Sequence, residues 1–269
     1  MKRRSFLSSS LPASALAACS ATGYLKGNQQ STDGKSRQYY ALRRYELHTG
    51  AQHKITDAYL SEALVPGLNR LGIKQVGVFT PEVGPESPSA YVLLPADSAD
   101  DLVNVDFRLE KDPEYMKAAE AFWKAPADHP PFIRMESSLM VAFEGYPRLT
   151  VPPVTASHGE RVFELRTYES ATDQDHRRKV EMFNSGEFGV FQRAGFWEVF
   201  YGDTLVGSRM PNLTYMIGFP NDSDRKKLWK AFGEDPEWKK LTGSSRFNFE
   251  EIVSNITNTL LTPTSYSQI

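Results

Sequence analysis

The sequence predicts an α+β chain made of two tandem copies of one strand-helix-strand-strand-helix-strand unit. Three observations carry this. First, "YYALRRYELHTGAQH" (Tyr39 to His53) returns as "RVFELRTYESATDQDH" (Arg161 to His176). Leu42 and Leu165, Arg43 and Arg166, Tyr45 and Tyr168, His53 and His176, and Gly72 and Gly195 all lie 123 residues apart. Second, hydrophobic periodicity changes between 2 and 3.6 in the same order in both halves. Third, Pro147, Pro152, Pro153 and Gly159 separate the halves, a linker signature. A period this long excludes a solenoid or a propeller.

In the first copy, Tyr39 to Leu47 alternates as a strand. Gly50 to Leu71 is a helix, with Tyr59, Ala63, Leu64 and Leu68 on one side. Gly72 ends it in the left-handed region. Strands follow at Val76 to Phe79 and Tyr91 to Leu94, joined by a hairpin-like loop over Pro81 to Pro88. Asp97 to Leu109 is a helix capped by Asp97 or Ser98. Pro113 starts a further helical turn behind a capping Asp112. Ser138 to Phe143 is the last strand. The second copy repeats this with strands at Val162 to Glu169, Trp197 to Tyr201, Tyr215 to Phe219 and Ile252 to Leu261. Its helices are Asp173 to Ala194, Asp222 to Phe232 and Pro236 to Leu241. Tyr91 and Tyr215 lie 124 apart, which implies a one-residue insertion.

This order is the ferredoxin-like unit. Helices cover one sheet face and leave the other bare, and a bare, partly apolar face must find a cover. The expectation is therefore two units, residues 38–146 and 161–263 with a linker over 147–160, packed sheet to sheet as an intramolecular pseudo-dimer. Alternation puts Tyr40 and Leu42 on one face of the first strand and Arg43 and Tyr45 on the other. Phe163 and Leu165 oppose Arg166 and Tyr168 in the same way. The apolar set should meet the helices, leaving Arg43, Tyr45, Arg166 and Tyr168 between the sheets. Each buried guanidinium then needs a carboxylate, a carbonyl or a ligand. Trp197 and Tyr201 add an aromatic wall in the second copy. These six are the candidate ligand-binding residues, and an ordinary structural pairing of the arginines is the alternative.

Residues 1–18 hold three basic side chains, Lys2, Arg3 and Arg4, and no acid; the rest of the chain is mildly acidic. A basic start, a short Ala/Leu/Ser stretch and small residues before a cut make an export signal. The twin arginine followed by Phe6-Leu7 resembles a twin-arginine signal. Leu16-Ala17-Ala18-Cys19 looks like a bacterial lipobox, which implies cleavage before Cys19 and lipid on its sulfur. A plain signal with an incidental cysteine and a cytosolic start are the alternatives. Cys19 is the only cysteine, so it has no internal disulfide partner. Residues 19–37 read as a flexible tether.

A mildly acidic body without Lys/Arg clusters argues against nucleic acid. There is no dinucleotide fingerprint, P-loop, H-E-x-x-H, C-x-x-C or nucleophile elbow. His53 and His176 are repeat-equivalent but lack partners at ligand spacing, so no metal is expected. Asp112 and Asp235 are explained by capping.

"FELRTYES" (Phe163 to Ser170), "RAGF" (Arg193 to Phe196), "EVFYGD" (Glu198 to Asp203) and "EDPEWKK" (Glu234 to Lys240) resemble the NIPSNAP family. "ALRRYELHTG", "RLGIKQVGVF" and "KDPEYMK" repeat the set more loosely. The resemblance implies a dimeric α/β barrel fold. It supplies no catalytic residues and no cofactor. The resulting expectation is an exported, membrane-anchored lipoprotein facing the periplasm or cell exterior, serving as a non-enzymatic binding module for a small molecule or a protein. A homo-oligomer is left open. The alternative is a small-molecule enzyme of the dimeric barrel type, either cofactor-free and monooxygenase-like or haem-dependent. Positions where the copies differ, Arg44 against Thr167, Lys74 against Trp197 and Val78 against Tyr201, are where a single pocket should be sought.

Overall fold

The computed structural model describes residues 36–48, 50–82 and 87–269. The expected export signal, Cys19 and the expected tether up to residue 35 lie outside the described residues. The first copy runs β1 (Tyr39–Glu46), α1 (Ala51–Ala58), a π-helical segment (Tyr59–Leu64), α2 (Val65–Arg70), β2 (Gly77–Pro81) and β3 (Ser89–Ala96). It continues with α3 (Ala99–Val103), α4 (Val105–Leu109), α5 (Pro113–Ala118), α6 (Glu120–Trp123) and β4 (Arg134–Ala142). The second copy runs β5 (Val162–Glu169), α7 (Asp173–Met182), a π-helical segment (Phe183–Glu187), α8 (Phe188–Ala194), β6 (Trp197–Val206) and β7 (Asn212–Phe219). It ends with α9 (Asp222–Glu234), α10 (Pro236–Thr242), α11 (Phe249–Ile252) and β8 (Asn255–Pro263).

The expected punctuation is present. Gly72 and Gly195 hold φ of 88° and 87°, where a side chain would be strained. Ser98 accepts from the Asp100 N–H, which settles the choice of cap. Asp112 and Asp235 each accept from the two N–H groups that follow Pro113 and Pro236. The long first helix of each copy instead carries a π-helical segment at the same place. An inserted turn of this kind leaves the hydrophobic pattern almost intact, so periodicity does not reveal it.

All eight strands close into one antiparallel barrel, in the order β1-β3-β2-β8-β5-β7-β6-β4. Each copy contributes a four-stranded sheet. The sheets join at their edges through β2 with β8 and β4 with β6. Closure removes the exposed edges that two separate sheets would carry. It also fixes β1 and β5 parallel to each other, so equivalent residues converge at the same end of the lumen.

Two expectations are corrected by the register. Leu42 pairs with Leu93 and Leu165 with Met216, so the 123-residue offset persists through β3 and β7. There is no insertion: Val92 is the counterpart of Tyr215, and Tyr91 faces the opposite side. The faces of β1 and β5 are also reversed. Tyr40, Phe163 and Leu165 pack inside the barrel with Phe79, Leu93, Met140, Phe200, Met216 and Leu261. Ala41 and Tyr45 pack under the helices with Leu60, Leu64, Leu68 and Leu109. Tyr168 packs there with Phe183, Phe191, Tyr201 and Tyr215. The physical reason is that one end of the closed lumen is itself a dry core that takes the bulky apolar set. On the helix-facing side, by contrast, each arginine finds a carboxylate: Asp106 of α4 for Arg43, and Glu164 of β5 itself for Arg166.

Candidate functional site in the barrel mouth

Apolar side chains fill one end of the lumen. Toward the other end they give way to hydroxyls, leaving a cavity of about 540 Å³. Its walls come from both copies in matched pairs. Leu42 faces Leu165 in kind, Arg44 matches Thr167, and Tyr91 matches Thr214. On the outer strands, Ser138 and Glu136 of β4 match Thr259 and Thr257 of β8. Ser208, Arg209 and Asn212 close the rim from the β6–β7 turn.

The rim is braced. Arg209 holds φ at 56°, a left-handed conformation that a bulky residue seldom adopts. The Asn212 amide donates to the carbonyls of Ser208 and Arg209, both at 2.9 Å, and its Oδ1 accepts from the Thr204 hydroxyl at 2.7 Å. Arg209 in turn donates to Thr257 Oγ1 at 3.0 Å and lies 3.3 Å from Glu169. Thr167 and Thr214 share a hydroxyl bond of 2.9 Å across β5 and β7. Arg44 Nη2 is 3.1 Å from Glu136 Oε2. Each arginine at the mouth thus stands beside a glutamate, and most of the uncharged polar lining is threonine and serine.

The six residues picked from the sequence are elsewhere. Arg43 makes a bidentate pair with Asp106 of α4 at 2.9 and 3.0 Å. Tyr45 stacks edge-on against Phe122 and Phe132. Arg166 binds Glu164 and the Tyr168 hydroxyl and lies 4.4 Å over the Trp229 ring. Tyr168 meets the Tyr215 hydroxyl at 3.0 Å. Tyr201 donates to Glu198 Oε2 at 2.8 Å. Trp197 crosses Gly218 beside Phe163, at the barrel end away from the mouth. The structure therefore brings Arg43 to Tyr45 and Arg166 to Tyr168 but sets all six outside the cavity.

The helix-facing layer of the second copy holds charges that sequence reading missed. Lys179 Nζ and Glu187 Oε2 lie 2.5 Å apart, both buried, with the ammonium 4.3 Å from the Phe183 ring centre. Burial pushes the lysine down and the glutamic acid up, both toward their neutral forms. The matching positions 123 residues earlier are Thr56 and Leu64. His176, buried, bonds Asp203 Oδ1 through Nε2 at 2.7 Å; its counterpart His53 is exposed. Burial pushes Glu198 up to about 7. Among the described residues no cluster of three or more His, Cys, Asp and Glu side chains could hold a metal. An open groove of about 880 Å³ between α1 and α6 is lined by Ile55, Ala121, Phe132, His48 and His129 among others. It is bounded by one copy and one loop, whereas the lumen is walled by the rigid barrel.

The NIPSNAP family model matches residues 40–144 and 163–268, one match per copy. The chain belongs to the NIPSNAP family. An uncharacterized NIPSNAP-like domain protein from Burkholderia xenovorans is 20% identical, with a TM-score of 0.37, over 41% of this chain and 90% of its own. Longer likenesses run to two candidate monooxygenases. One, from Fusobacterium nucleatum, is 8% identical with a TM-score of 0.57, over 85% of this chain and 93% of that one. The other, from Lactobacillus acidophilus, is 8% identical with a TM-score of 0.52, over 84% and 94%. At such identity these show a shared fold alone. No curated protein matches the chain.

Proposed function

We propose that this NIPSNAP-family chain is an exported, lipid-anchored binding protein that takes a small polar molecule in the mouth of its barrel. The carrying observation is the 540 Å³ cavity walled by matched strands of both copies, within the volume range of ligand pockets. On this reading the tandem chain is an intramolecular pseudo-dimer, the single-chain counterpart of a two-chain barrel. Fusion frees the two halves to differ, and in the cavity they do: Arg44, Tyr91 and Glu136 of the first copy stand where the second has Thr167, Thr214 and Thr257. Cys19 in its lipobox supports the anchor. No described helix is long and apolar enough to cross a membrane.

An enzyme of the dimeric barrel type draws its support from the fold likeness and from the buried Lys179–Glu187 pair. The described cavity walls offer hydroxyls and charge pairs, with no histidine, lysine or cysteine among them. That lining favours binding over turnover. The test is native mass spectrometry of the protein as isolated, beside a Leu165→Trp variant whose indole occupies the cavity. The proposal expects a bound small molecule in the parent and none in the variant. Equal occupancy in both would remove the cavity as the site. Mass analysis of the mature N-terminus tests the anchor, since an unmodified Cys19 would rule it out.

A further inference from the structure

We infer that the ligand of the barrel mouth is a neutral, polyhydroxylated molecule of sugar or polyol type; this rests on the reading of the mouth as the binding site. Charge comes first. The two arginines at the mouth are matched by two glutamates, Arg44 by Glu136 and Arg209 by Glu169. Of the two glutamates only Glu136 lines the cavity, and a ligand carboxylate or phosphate entering there would have to compete with both for arginines that are already paired. Displacing either glutamate would leave an ionic group without its partner, which is costly away from water, so the existing pairs disfavour an ionic ligand.

The second argument is hydrogen-bond inventory. A hydroxyl is one donor and two acceptors, and its proton rotates to suit its partner. A cavity walled by Ser138, Thr167, Thr214, Thr257 and Thr259 complements a ligand whose own groups both donate and accept. Thr167 and Thr214 already bond each other, so a ligand hydroxyl bridging them joins an existing chain rather than opening a new one. Glu136, whose Oε2 lies 3.1 Å from Arg44 Nη2, keeps its other carboxylate oxygen as an acceptor for a ligand hydroxyl.

Shape is the third argument. Leu42, Leu165 and Tyr91 give the cavity an apolar surface beneath the hydroxyls. A sugar or cyclitol ring has this same division, with C–H groups on its face and hydroxyls on its edge. The volume equals about eighteen water volumes at roughly 30 Å³ each, room for one or two such rings. A fully apolar ligand would leave the remaining hydrogen-bonding capacity of the threonine hydroxyls unused.

The experiment is calorimetric titration of the full chain with matched probes: glucose and myo-inositol, glucuronate as glucose with one carboxylate, and indole as a flat apolar control. The inference expects glucose or myo-inositol to bind at least tenfold more tightly than glucuronate and indole. Thr214→Val and Thr257→Val, which keep the shape and remove a hydroxyl, each weaken polyol binding about tenfold. Glu136→Gln raises glucuronate affinity by removing the opposing charge. Glucuronate or indole binding more tightly than the polyols, with sensitivity to Leu165→Trp, overturns the ligand class and leaves the site standing. No binding by any probe, with the same unfolding midpoint in the presence of each, overturns the inference. Binding that Leu165→Trp leaves unchanged overturns the site itself.

Discussion

At the scale of single residues, the buried ion pair is the sharpest case. Desolvation opposes the attraction of Lys179 and Glu187, and removing one partner strands the other. Lys179→Met should therefore lower unfolding free energy by about 3–5 kcal/mol in urea titrations. Lys179→Met with Glu187→Leu should recover most of it, because an apolar pair of similar volume suits the surrounding Phe183, Tyr168 and Trp238. Glu198 makes a pH prediction. Its carboxyl sits at about 7 in the fold against an ordinary 4.5, through burial. Between those values the folded state binds more protons than the unfolded one, so stability falls as pH rises. The loss from pH 4.5 to 7.5 should be on the order of 2 kcal/mol, and Glu198→Gln should flatten that slope. None of these charges was legible in the sequence. Lys179 and Glu187 look like ordinary surface residues of a helix until the π-helical segment and the helix layer above bury them. Arg44, by contrast, was legible as a position where the copies differ, and it does line the cavity.

At the scale of elements, most of the chain reads directly. The capped starts at Asp112 and Asp235 and the glycine stops at Gly72 and Gly195 follow local rules that packing reinforces. Asp235 both caps α10 and pairs with Arg193 at 2.9 Å. Asp235→Ala should cost about 1–2 kcal/mol in thermal or urea unfolding, more than the cap alone would predict from an isolated helix. Strand extents were read short. β4 begins at Arg134 and β6 reaches Val206. Those ends bear polar or exposed side chains, and pairing alone makes them strand: the start of β4 pairs with β1 of its own copy, and the end of β6 pairs with β4 of the other copy at the seam. The face assignment of β1 and β5 failed for a related reason. Alternation separates the two faces of a strand but does not say which one meets a helix, and here both are buried.

At the scale of the whole molecule, the repeat announced the architecture, and closure decided everything that depends on two copies meeting. The seam between β4 and β6 is tight: a Cβ on Gly202 would lie 2.9 Å from Met140 Cβ. Gly202→Val should destabilise the protein by about 1–3 kcal/mol through overpacking. Hydrogen exchange should locate the loss in the β4 and β6 amides; uniform loosening would argue against a local seam. The cavity was illegible because no segment contains it. It arises from Leu42, Tyr91, Ser138, Thr167, Thr214 and Thr257 on six strands, none in a motif, brought together by the pseudo-symmetry of the barrel. The central claim is that this mouth is the binding site. The most direct measurement is NMR of the threonine methyls during titration with glucose or myo-inositol. The account predicts shifts concentrated at Thr167, Thr214, Thr257 and Thr259. Shifts confined to residues of the groove between α1 and α6, with the lumen threonines unmoved, would contradict it.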